Sequence, residues 1–189
     1  MDALEALRGE IPEAARDLKL NLQSVLESGS LTPEQTFTIA IAVAAAASAG
    51  EPRLLTALAS RARQVAGEAV VEDGLAAASL MAMNNVYYRF RHQVGKAVYS
   101  DKPARLRMQR LAKPATSKAV FELACLAVSA INGCETCVKS HEAAVLAAGL
   151  SEEQVHDAVR VAAVVRGAAT ALVAGAALTQ GAAAELATA

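Results

Sequence analysis

Apolar stretches separated by short polar, glycine- and proline-containing breaks run along the whole chain and predict a series of helices. Residues 1–28 fit one or two amphipathic helices, with Pro12 near a boundary. The run Thr32-Pro33-Glu34-Gln35 predicts a helix start, with threonine as the cap and proline at the first helical position. An apolar helix follows to about Ala49, and Gly50-Glu51-Pro52 ends it.

The middle of the chain divides into two further helices and a connector. Residues 53–65 and 72–89 are expected to be helical. Residues 99–117 differ, because prolines flank a basic run from Arg105 to Arg110. We interpret them as a connector that holds at most a short helix and whose charges face solvent.

The last part of the chain predicts a tight pair of helices and a longer helical tail. Ser117 to Ile131 is an apolar helix that Asn132-Gly133 ends as a C-terminal cap. The next helix begins at about Cys134 and ends near Gly149. Ser151 then caps a helix that runs from Glu152 into the 160s, and a separate helix is expected after Gly167.

The two halves of the chain share this order of helices and breaks, which indicates an internal duplication. Placing Phe37 on Phe121 places Gly50 on Cys134, Thr38 on Glu122 and Arg53 on Cys137, so the first half keeps the shape without the chemistry. The predicted organisation is a catalytically silent N-terminal half (1–98), a connector (99–117) and a C-terminal half that carries the active site (118–189).

Composition supports an all-α fold. Hydrophobic residues make up 54% of the 189 residues, aromatic residues make up 3%, and alanine is in clear excess. Alanine is the strongest helix former, whereas aromatic and β-branched residues favour strands. Alanine-rich helices pack closely but bury little area at each contact, so such a protein gains from burying further surface between subunits.

Charge and targeting signals exclude several classes of protein. The net charge of −1 gives no electrostatic basis for binding nucleic acid. The acidic start lacks a signal-peptide pattern, and the apolar stretch from Ile39 to Gly50 is too short to span a bilayer. The Ala- and Gly-rich tail from Val161 to Ala184 contains Arg166, and we expect it to pack as a helix rather than to cross a membrane. The chain is therefore expected in the cytoplasm.

Three cysteines are too few for a secreted disulfide scaffold, and two of them form a C-x-x-C motif. Cys134 and Cys137 are three residues apart, close enough for a disulfide when the first lies at a helix start. The helix dipole there favours a thiolate at Cys134. His141 shares a helix face with Cys137 and can take its proton or stabilise its thiolate.

Glu122 is the fourth candidate, because it is the one charged residue in the apolar run from Ala119 to Val128. A buried carboxylate requires a partner or a raised pKa. A tight helix–turn–helix can bring it beside His141, where it would orient the imidazole or relay a proton.

Other interpretations of these residue types are weaker. A zinc site lacks a fourth ligand, and no metal is expected. Cys125 is interpreted as a buried hydrophobic residue, and Met81 and Met83 as core. His92 is expected to be solvated, and His156 to be a surface or partly buried structural residue. The segment Asn84 to Tyr88 either lines a pocket or forms a subunit contact, and the contact is favoured.

The combination of Glu122, Asn132-Gly133, Cys134-x2-Cys137 and His141 resembles the active-site pattern of the AhpD alkyl hydroperoxidase family, in the carboxymuconolactone decarboxylase-like superfamily. The resemblance implies an all-α fold built from two helical halves and assembled as a homotrimer or higher homo-oligomer. It further implies reduction of alkyl hydroperoxides and of the peroxiredoxin AhpC. Electrons would come from a lipoyl-bearing protein kept reduced by dihydrolipoamide dehydrogenase and NADH, with no tightly bound cofactor.

The same resemblance implies a role for each site residue. Cys137 would attack the peroxide and become a sulfenic acid. Cys134, the more accessible thiol, would donate a proton, close the Cys134–Cys137 disulfide and exchange with AhpC. His141 would be the base and Glu122 its proton relay. Thr136 departs from the pattern, since some members carry a second histidine between the cysteines.

Two other functions remain compatible with the sequence. One is a decarboxylase acting on a lactone acid, although such relatives do not need the cysteine pair. The other is a redox sensor or dithiol-exchange module that switches its assembly through Cys134 and Cys137. Which thiol is activated also stays open, because the helix start favours Cys134 whereas His141 favours Cys137.

Overall fold

The computed structural model describes residues 2–47 and 51–188, with side chains described as far as Gln180. These residues contain α-helices and no β-strand, which confirms the all-α prediction. The elements are α1 (Ala3–Gly9), a 3₁₀ turn (Glu13–Ala15), α2 (Asp17–Glu27), α3 (Pro33–Ala47), α4 (Pro52–Val65), α5 (Glu68–Val94), α6 (Ala97–Ser100), α7 (Gln109–Ala112), α8 (Lys118–Ile131), α9 (Glu135–Ala147) and α10 (Glu152–Thr188). The predicted helix end at Ala49 and break at Gly50 lie outside the described residues.

Two of the predicted helix starts are reciprocal capping boxes. Before α3, the Gln35 backbone N–H donates to Thr32 Oγ1 (3.3 Å), while the Thr32 N–H donates to Gln35 Oε1 (2.9 Å). Before α10, the Gln154 N–H donates to Ser151 Oγ (3.2 Å) and the Ser151 N–H to Gln154 Oε1 (3.0 Å). Each box satisfies two backbone donors at positions that the sequence predicts.

Helices α3 and α8 form the centre of the core, and α5 and α10 pack against them. Nearly every described residue of α3 from Gln35 onward is buried, as expected for a helix enclosed on all sides. Gly74 lies where α5 crosses α3, and a Cβ there would lie 2.6 Å from Ile41 Cγ2. Only glycine permits the two helices to approach this closely.

The separate helix predicted after Gly167 is wrong, because α10 continues through this glycine from Glu152 to Thr188. Gly167 is instead a close-approach position, where a Cβ would lie 3.2 Å from Leu18 Cδ2. At Gly175 a Cβ would lie 2.6 Å from Pro12 Cγ. Both glycines allow a residue from the N-terminal part of the chain, Leu18 or Pro12, to pack closely against α10 without interrupting the helix.

Part of α10, Glu152–Gln180, is long and apolar enough to cross a membrane by length and composition, with a mean hydropathy of 1.8 over an 18-residue stretch of which 39% is buried. Core helices of soluble proteins meet the same criteria. Here Ala158, Val161, Val165 and Leu172 are buried in the main hydrophobic cluster, at the spacing of one helix face.

In the structure the repeat extends to the start of the third repeated helix, which is α5 in the first half and α10 in the second. The shift that places Phe37 on Phe121 also places Glu68 on Glu152, which are the first residues of α5 and α10. It places Asp73 on Asp157, and both of these carboxylates are buried. That the first half lacks catalytic activity remains a prediction.

Each of these two aspartates binds the segment that precedes the first repeated helix of the other half, which is α8 for Asp73 and α3 for Asp157. Asp73 accepts hydrogen bonds from the Ala115 N–H (3.0 Å), from the Thr116 N–H and Oγ1 (both 2.7 Å) and from Arg110 (3.0 Å). Asp157 accepts from the Ser30 N–H and Oγ, both at 2.8 Å. The two carboxylates therefore bind the halves to each other reciprocally.

The charged form of each aspartate is favoured by these bonds. Burial alone raises the pKa of the Asp73 carboxyl, but the hydrogen bonds from Ala115, Thr116 and Arg110 outweigh it and the net pKa is lowered. The backbone bond from Ser30 is the main cause of the lowered pKa of Asp157. A lowered pKa in the folded state stabilises the fold above the ordinary aspartate value and loses that contribution in acid.

We expect Asp73→Asn to lower the free energy of unfolding at pH 7 by about 2–3 kcal/mol, because the charge-assisted bonds of the buried carboxylate are lost. The difference from wild type should persist down to the ordinary aspartate pKa of 3.8 and shrink as the pH falls further, through the lowered folded-state value. Urea denaturation across this pH range measures it.

Glu72→Gln is the matched control, since Glu72 is an exposed neighbour that also contacts Arg110, at 3.2 Å. Its effect should stay below about 1 kcal/mol. Equal losses in the two variants would contradict a special role for the buried carboxylate.

Candidate active site

Cys134 and Cys137 form a disulfide, with their Cα atoms 5.3 Å apart. Cys134 is the N-cap residue of α9, and Cys137 lies in the first turn of that helix. The preceding turn has Gly133 at a φ of 65°, a left-handed conformation that glycine adopts readily and that ends α8 as predicted. The turn therefore brings both sulfurs to the beginning of one helix.

The prediction that Cys134 is the more accessible thiol is wrong for this disulfide form. Cys134 is 0% exposed and Cys137 is 6% exposed. The turn between α8 and α9 is bonded to α5, and the two cysteine side chains are buried although Gly133, Glu135 and Thr136 beside them are exposed. Exchange with a partner through Cys134 requires its sulfur to become exposed.

Glu122 and His141 are brought together by the α8–α9 hairpin. His141 Nδ1 lies 2.6 Å from Glu122 Oε2, and the two side chains are 13% and 12% exposed. A carboxylate at Nδ1 fixes the ring orientation and leaves Nε2 as the nitrogen that can exchange a proton with another group. The pair thus has the arrangement of a base held by an orienting acid.

The same residues line a cleft of about 420 Å³. Its walls come from α5, the connector, α8 and α9. The lining residues are Asn84, Tyr88, Met108, Leu111, Glu122, Thr136, Cys137, Ser140, His141 and Ala144. Cys137, His141 and Glu122 therefore face one space, although their catalytic roles remain predictions.

The connector contributes to this cleft, which the sequence does not predict. Met108 and Leu111 form part of its wall. Arg110, between them, is not a freely solvated charge, because it pairs with the buried Asp73 and with Glu72. The short helix expected inside the connector is present as α7. Asp73 thus fixes the position of a cleft wall.

The α8–α9 turn is held by two residues of α5. The buried Asn85 donates through Nδ2 to Ser129 Oγ (3.0 Å) and accepts through Oδ1 from Asn132 Nδ2 (2.9 Å). Arg89 donates to the Asn132 carbonyl at 2.6 Å. The sequence offered one signal for this role, the paired asparagines in an otherwise mostly apolar part of α5.

Asn84 lines the cleft itself and is 5% exposed. Its Nδ2 donates to Met108 Sδ at 3.1 Å. Its Oδ1 is buried and has no hydrogen-bond partner in the described chain. An amide oxygen buried in this way costs about 1–3 kcal/mol of stability. Asn84 and Tyr88 therefore line a cleft, the first of the two expectations for the segment Asn84 to Tyr88, and the subunit contact stays a prediction.

The other singled-out residues lie away from the cleft lining. Cys125 is fully buried, and burial raises the pKa of its thiol, as expected for a core residue. His92 and His156 are exposed, and His92 lies 3.5 Å from Glu135. Met81 is buried in the core. Among the residues described, no group of three or more His, Cys, Asp or Glu is placed to hold a metal ion.

The first half has a cleft at the corresponding position. Its lining includes Arg53, which the repeat places on Cys137, and Ala57, which it places on His141. Residues of α1, among them Ala6 and Leu7, also line it. No cysteine or histidine is present in that lining. That the first half is catalytically silent stays a prediction.

Comparison with known proteins agrees with this site. A family model described as "Carboxymuconolactone decarboxylase family" matches residues 99–180. "Alkyl hydroperoxide reductase AhpD" of Anaeromyxobacter dehalogenans (strain 2CP-C) is 64% identical over 91% of this chain and 91% of its own length. The protein of the same name from Rhodopseudomonas palustris (strain BisB18) is 44% identical over 92% of this chain and 94% of its own length. The chain therefore belongs to the AhpD alkyl hydroperoxidase family of the carboxymuconolactone decarboxylase-like superfamily.

Proposed function

We propose that the chain is a thiol peroxidase that reduces alkyl hydroperoxides through the Cys134–Cys137 dithiol. The observation that carries the proposal is a redox-active type of cysteine pair whose second member shares a cleft with a hydrogen-bonded Glu122–His141 pair. The relatives are named alkyl hydroperoxide reductases, which supports the same substrate class.

In the first step His141 takes the proton of the Cys137 thiol, and Glu122 stabilises the imidazolium. The Cys137 thiolate attacks the terminal oxygen of the hydroperoxide. An S–O bond forms, the O–O bond breaks, and the alkoxide leaves with the bonding electron pair. Cys134 gives its proton to the alkoxide, so that the products are an alcohol and the sulfenic acid of Cys137.

In the second step the Cys134 thiolate attacks the sulfur of the sulfenic acid. The disulfide forms as the S–O bond breaks, and the departing hydroxide takes the proton held by His141 and becomes water. The overall reaction converts the dithiol and one hydroperoxide into the disulfide, one alcohol and one water. This oxidised state has the covalent form found in the structure.

The dithiol is regenerated by exchange with a reduced lipoyl group on a partner protein, which is itself oxidised to the cyclic disulfide. Dihydrolipoamide dehydrogenase and NADH would keep that group reduced, and the dithiol would also reduce the peroxiredoxin AhpC. We place this chemistry in the cytoplasm and in a homotrimer or higher homo-oligomer. With Thr136 between the cysteines, Glu122–His141 is the acid–base pair that this proposal relies on.

Consumption of tert-butyl hydroperoxide with dihydrolipoamide tests the proposal. The wild type should turn over, Cys137→Ser should lose turnover because the attacking sulfur is gone, and Cys134→Ser should stop at a sulfenic acid that dimedone labels. Cys125→Ala is the matched control, because Cys125 lies in the core and outside the cleft lining.

Each alternative outcome has a distinct meaning. Turnover that persists in Cys137→Ser would overturn the assigned roles. An activity insensitive to thiol alkylation would point to decarboxylase-like chemistry. A reversible disulfide without turnover, accompanied by a change in oligomer size, would favour a redox sensor.

We expect Glu122→Gln to slow oxidation of the reduced protein by tert-butyl hydroperoxide about tenfold or more at pH 7, because the imidazolium loses its anionic partner. Stopped-flow kinetics across a pH series measures the effect. Glu142→Gln is the control, since it removes the same charge from the position next to His141 while leaving the Glu122 pair in place. A similar loss in the control would reduce the effect to general electrostatics.

A further inference from the structure

Positive charge is concentrated in the connector and at its two ends. Residues 96–118 contain seven of the 18 Lys and Arg residues of the chain and only one of its 19 Asp and Glu residues, Asp101. The rest of the chain is therefore acidic, although the net charge of the whole is −1. The near-neutral total conceals a basic segment on an otherwise acidic protein.

Most of this charge is not used by the fold. Arg110 is bound to Asp73, but the other six side chains are exposed and form no ion pair or side-chain hydrogen bond within the described part of the chain. We call these six the basic connector surface: Lys96, Lys102, Arg105, Arg107, Lys113 and Lys118. In the N-terminal half, by contrast, Arg53, Arg61 and Arg63 each pair with a carboxylate. The basic connector surface is thus available to a partner.

This surface adjoins the cleft that Cys137 lines. Met108 and Leu111 form part of the cleft wall. Arg107 directly precedes Met108, and Lys113 follows Leu111 by two residues. A molecule that approaches the cleft from the side of the connector therefore meets unpaired positive charge.

The dimensions of the cleft restrict what can reduce the disulfide. Its volume of about 420 Å³ suits a small organic group and excludes a protein domain. Cys134 is 0% exposed and Cys137 is 6% exposed, so neither sulfur lies on the outer surface. A protein reductant must therefore send an extended group into the cleft while its folded part stays outside. A lipoyl group on a lysine side chain has this form.

We propose that the basic connector surface is the docking site for an acidic protein domain that carries the reduced lipoyl group. This role rests on the proposed peroxidase function, which requires a lipoyl-bearing reductant, and it adds the location and the charge of the surface that binds it. Complementary charge raises the rate of encounter and orients the partner more than it raises affinity. Such a contact suits a partner that must dock, transfer two electrons and leave.

The exchange at this site is balanced without a further reactant. A lipoyl thiolate attacks the sulfur of Cys137, the cysteine that lines the cleft, and the bond between the two cysteines breaks as Cys134 leaves with the electron pair. The second lipoyl thiolate then attacks the lipoyl sulfur of the mixed disulfide, which closes the cyclic disulfide and releases Cys137. The two protons of the lipoyl thiols pass to the two cysteines.

A small acidic domain fits this charge distribution better than a nucleic acid or an anionic membrane does. Interactions between exposed charges are largely screened beyond about 8 Å at physiological ionic strength, so local charge governs a contact of domain size. A long polyanion or a membrane extends past the connector and would face the acidic remainder of the chain. A domain that contacts the connector alone avoids this repulsion.

Three dihydrolipoyl-lysine peptides test the docking surface. They differ only in the residues beside the lipoyl-lysine, which are glutamates, serines or lysines, and free dihydrolipoamide serves as a small reductant without such residues. Stopped-flow kinetics measures the rate constant for reduction of the Cys134–Cys137 disulfide. We expect the acidic peptide to react at least about tenfold faster than the basic peptide at low salt, and this difference to shrink to about threefold or less in about 0.5 M salt.

The double variant Arg107→Gln, Lys113→Gln removes two charges of the basic connector surface. It should slow reduction by the acidic peptide at least about threefold and leave reduction by free dihydrolipoamide within about twofold of wild type. The matched control is Arg16→Gln, Arg166→Gln, which removes the same charge from exposed positions outside the connector. The control should stay within about twofold of wild type with every reductant.

Several results would overturn the docking surface. These are rate constants that do not depend on peptide charge, and equal losses in the connector variant and its control. A smaller oligomer in the connector variant would make the connector a contact between subunits. Tighter binding of the wild type to a DNA duplex or to phosphatidylglycerol vesicles than to the acidic peptide would assign the surface to a different class of partner. A wild-type disulfide that no dihydrolipoyl compound reduces would instead remove the lipoyl-dependent function itself.

Discussion

The arrangement of the two halves depends on two buried carboxylates that bind backbone across the repeat. Asp73 of α5 accepts from the backbone N–H groups that precede α8, and Asp157 of α10 accepts from the segment that precedes α3. An ionised carboxylate is retained in such a site only when several donors satisfy it. Because each half supplies the acceptor for the other half's entry segment, neither can be moved independently. The cleft is a consequence of this exchange, since Asp73 also holds Arg110 between the two connector residues that form its wall.

This exchange makes the N-terminal half contribute to the candidate site of the C-terminal half. Helix α5 belongs to the half that we predict to be catalytically silent, yet it provides Asn84 and Tyr88 to the cleft, and Asn85 and Arg89 to the turn before Cys134. The dithiol sits at a helix start whose preceding turn has few side chains of its own to fix it. Hydrogen bonds from an adjacent rigid helix therefore determine where the turn lies, and with it the separation of Cys137 from the Glu122–His141 pair.

Local patterns in the sequence were sufficient for most of the helices and for the proposed chemistry. The capping boxes at Thr32 and Ser151 each involve only four consecutive residues, so they can be predicted from the sequence alone. The same holds for the spacing of Cys134, Cys137 and His141, which lie at the start of one helix and along it. The pairing of Glu122 with His141 could also be predicted, because a short turn joins the two helices that carry them. The helix break predicted at Gly167 was wrong because the sequence does not distinguish a glycine that ends a helix from one that allows a neighbour such as Leu18 to pack closely.

The contacts that sequence could not supply are those between groups distant along the chain. The neighbouring sequence does not distinguish Asp73 from a surface aspartate, Asn84 from Asn85, or a buried Cys134 from an exposed one. Burial depends on which distant helix packs against the residue in the fold. These residues also share a physical property: each is a polar or reactive group buried against α5 or lying on it. Apolar residues of similar volume would often give equal or greater stability at such positions. The polar and reactive groups near the site are explained by the requirement for fixed geometry there, since a thiol, a base and a substrate oxygen must be held within about 0.5 Å of the reactive arrangement.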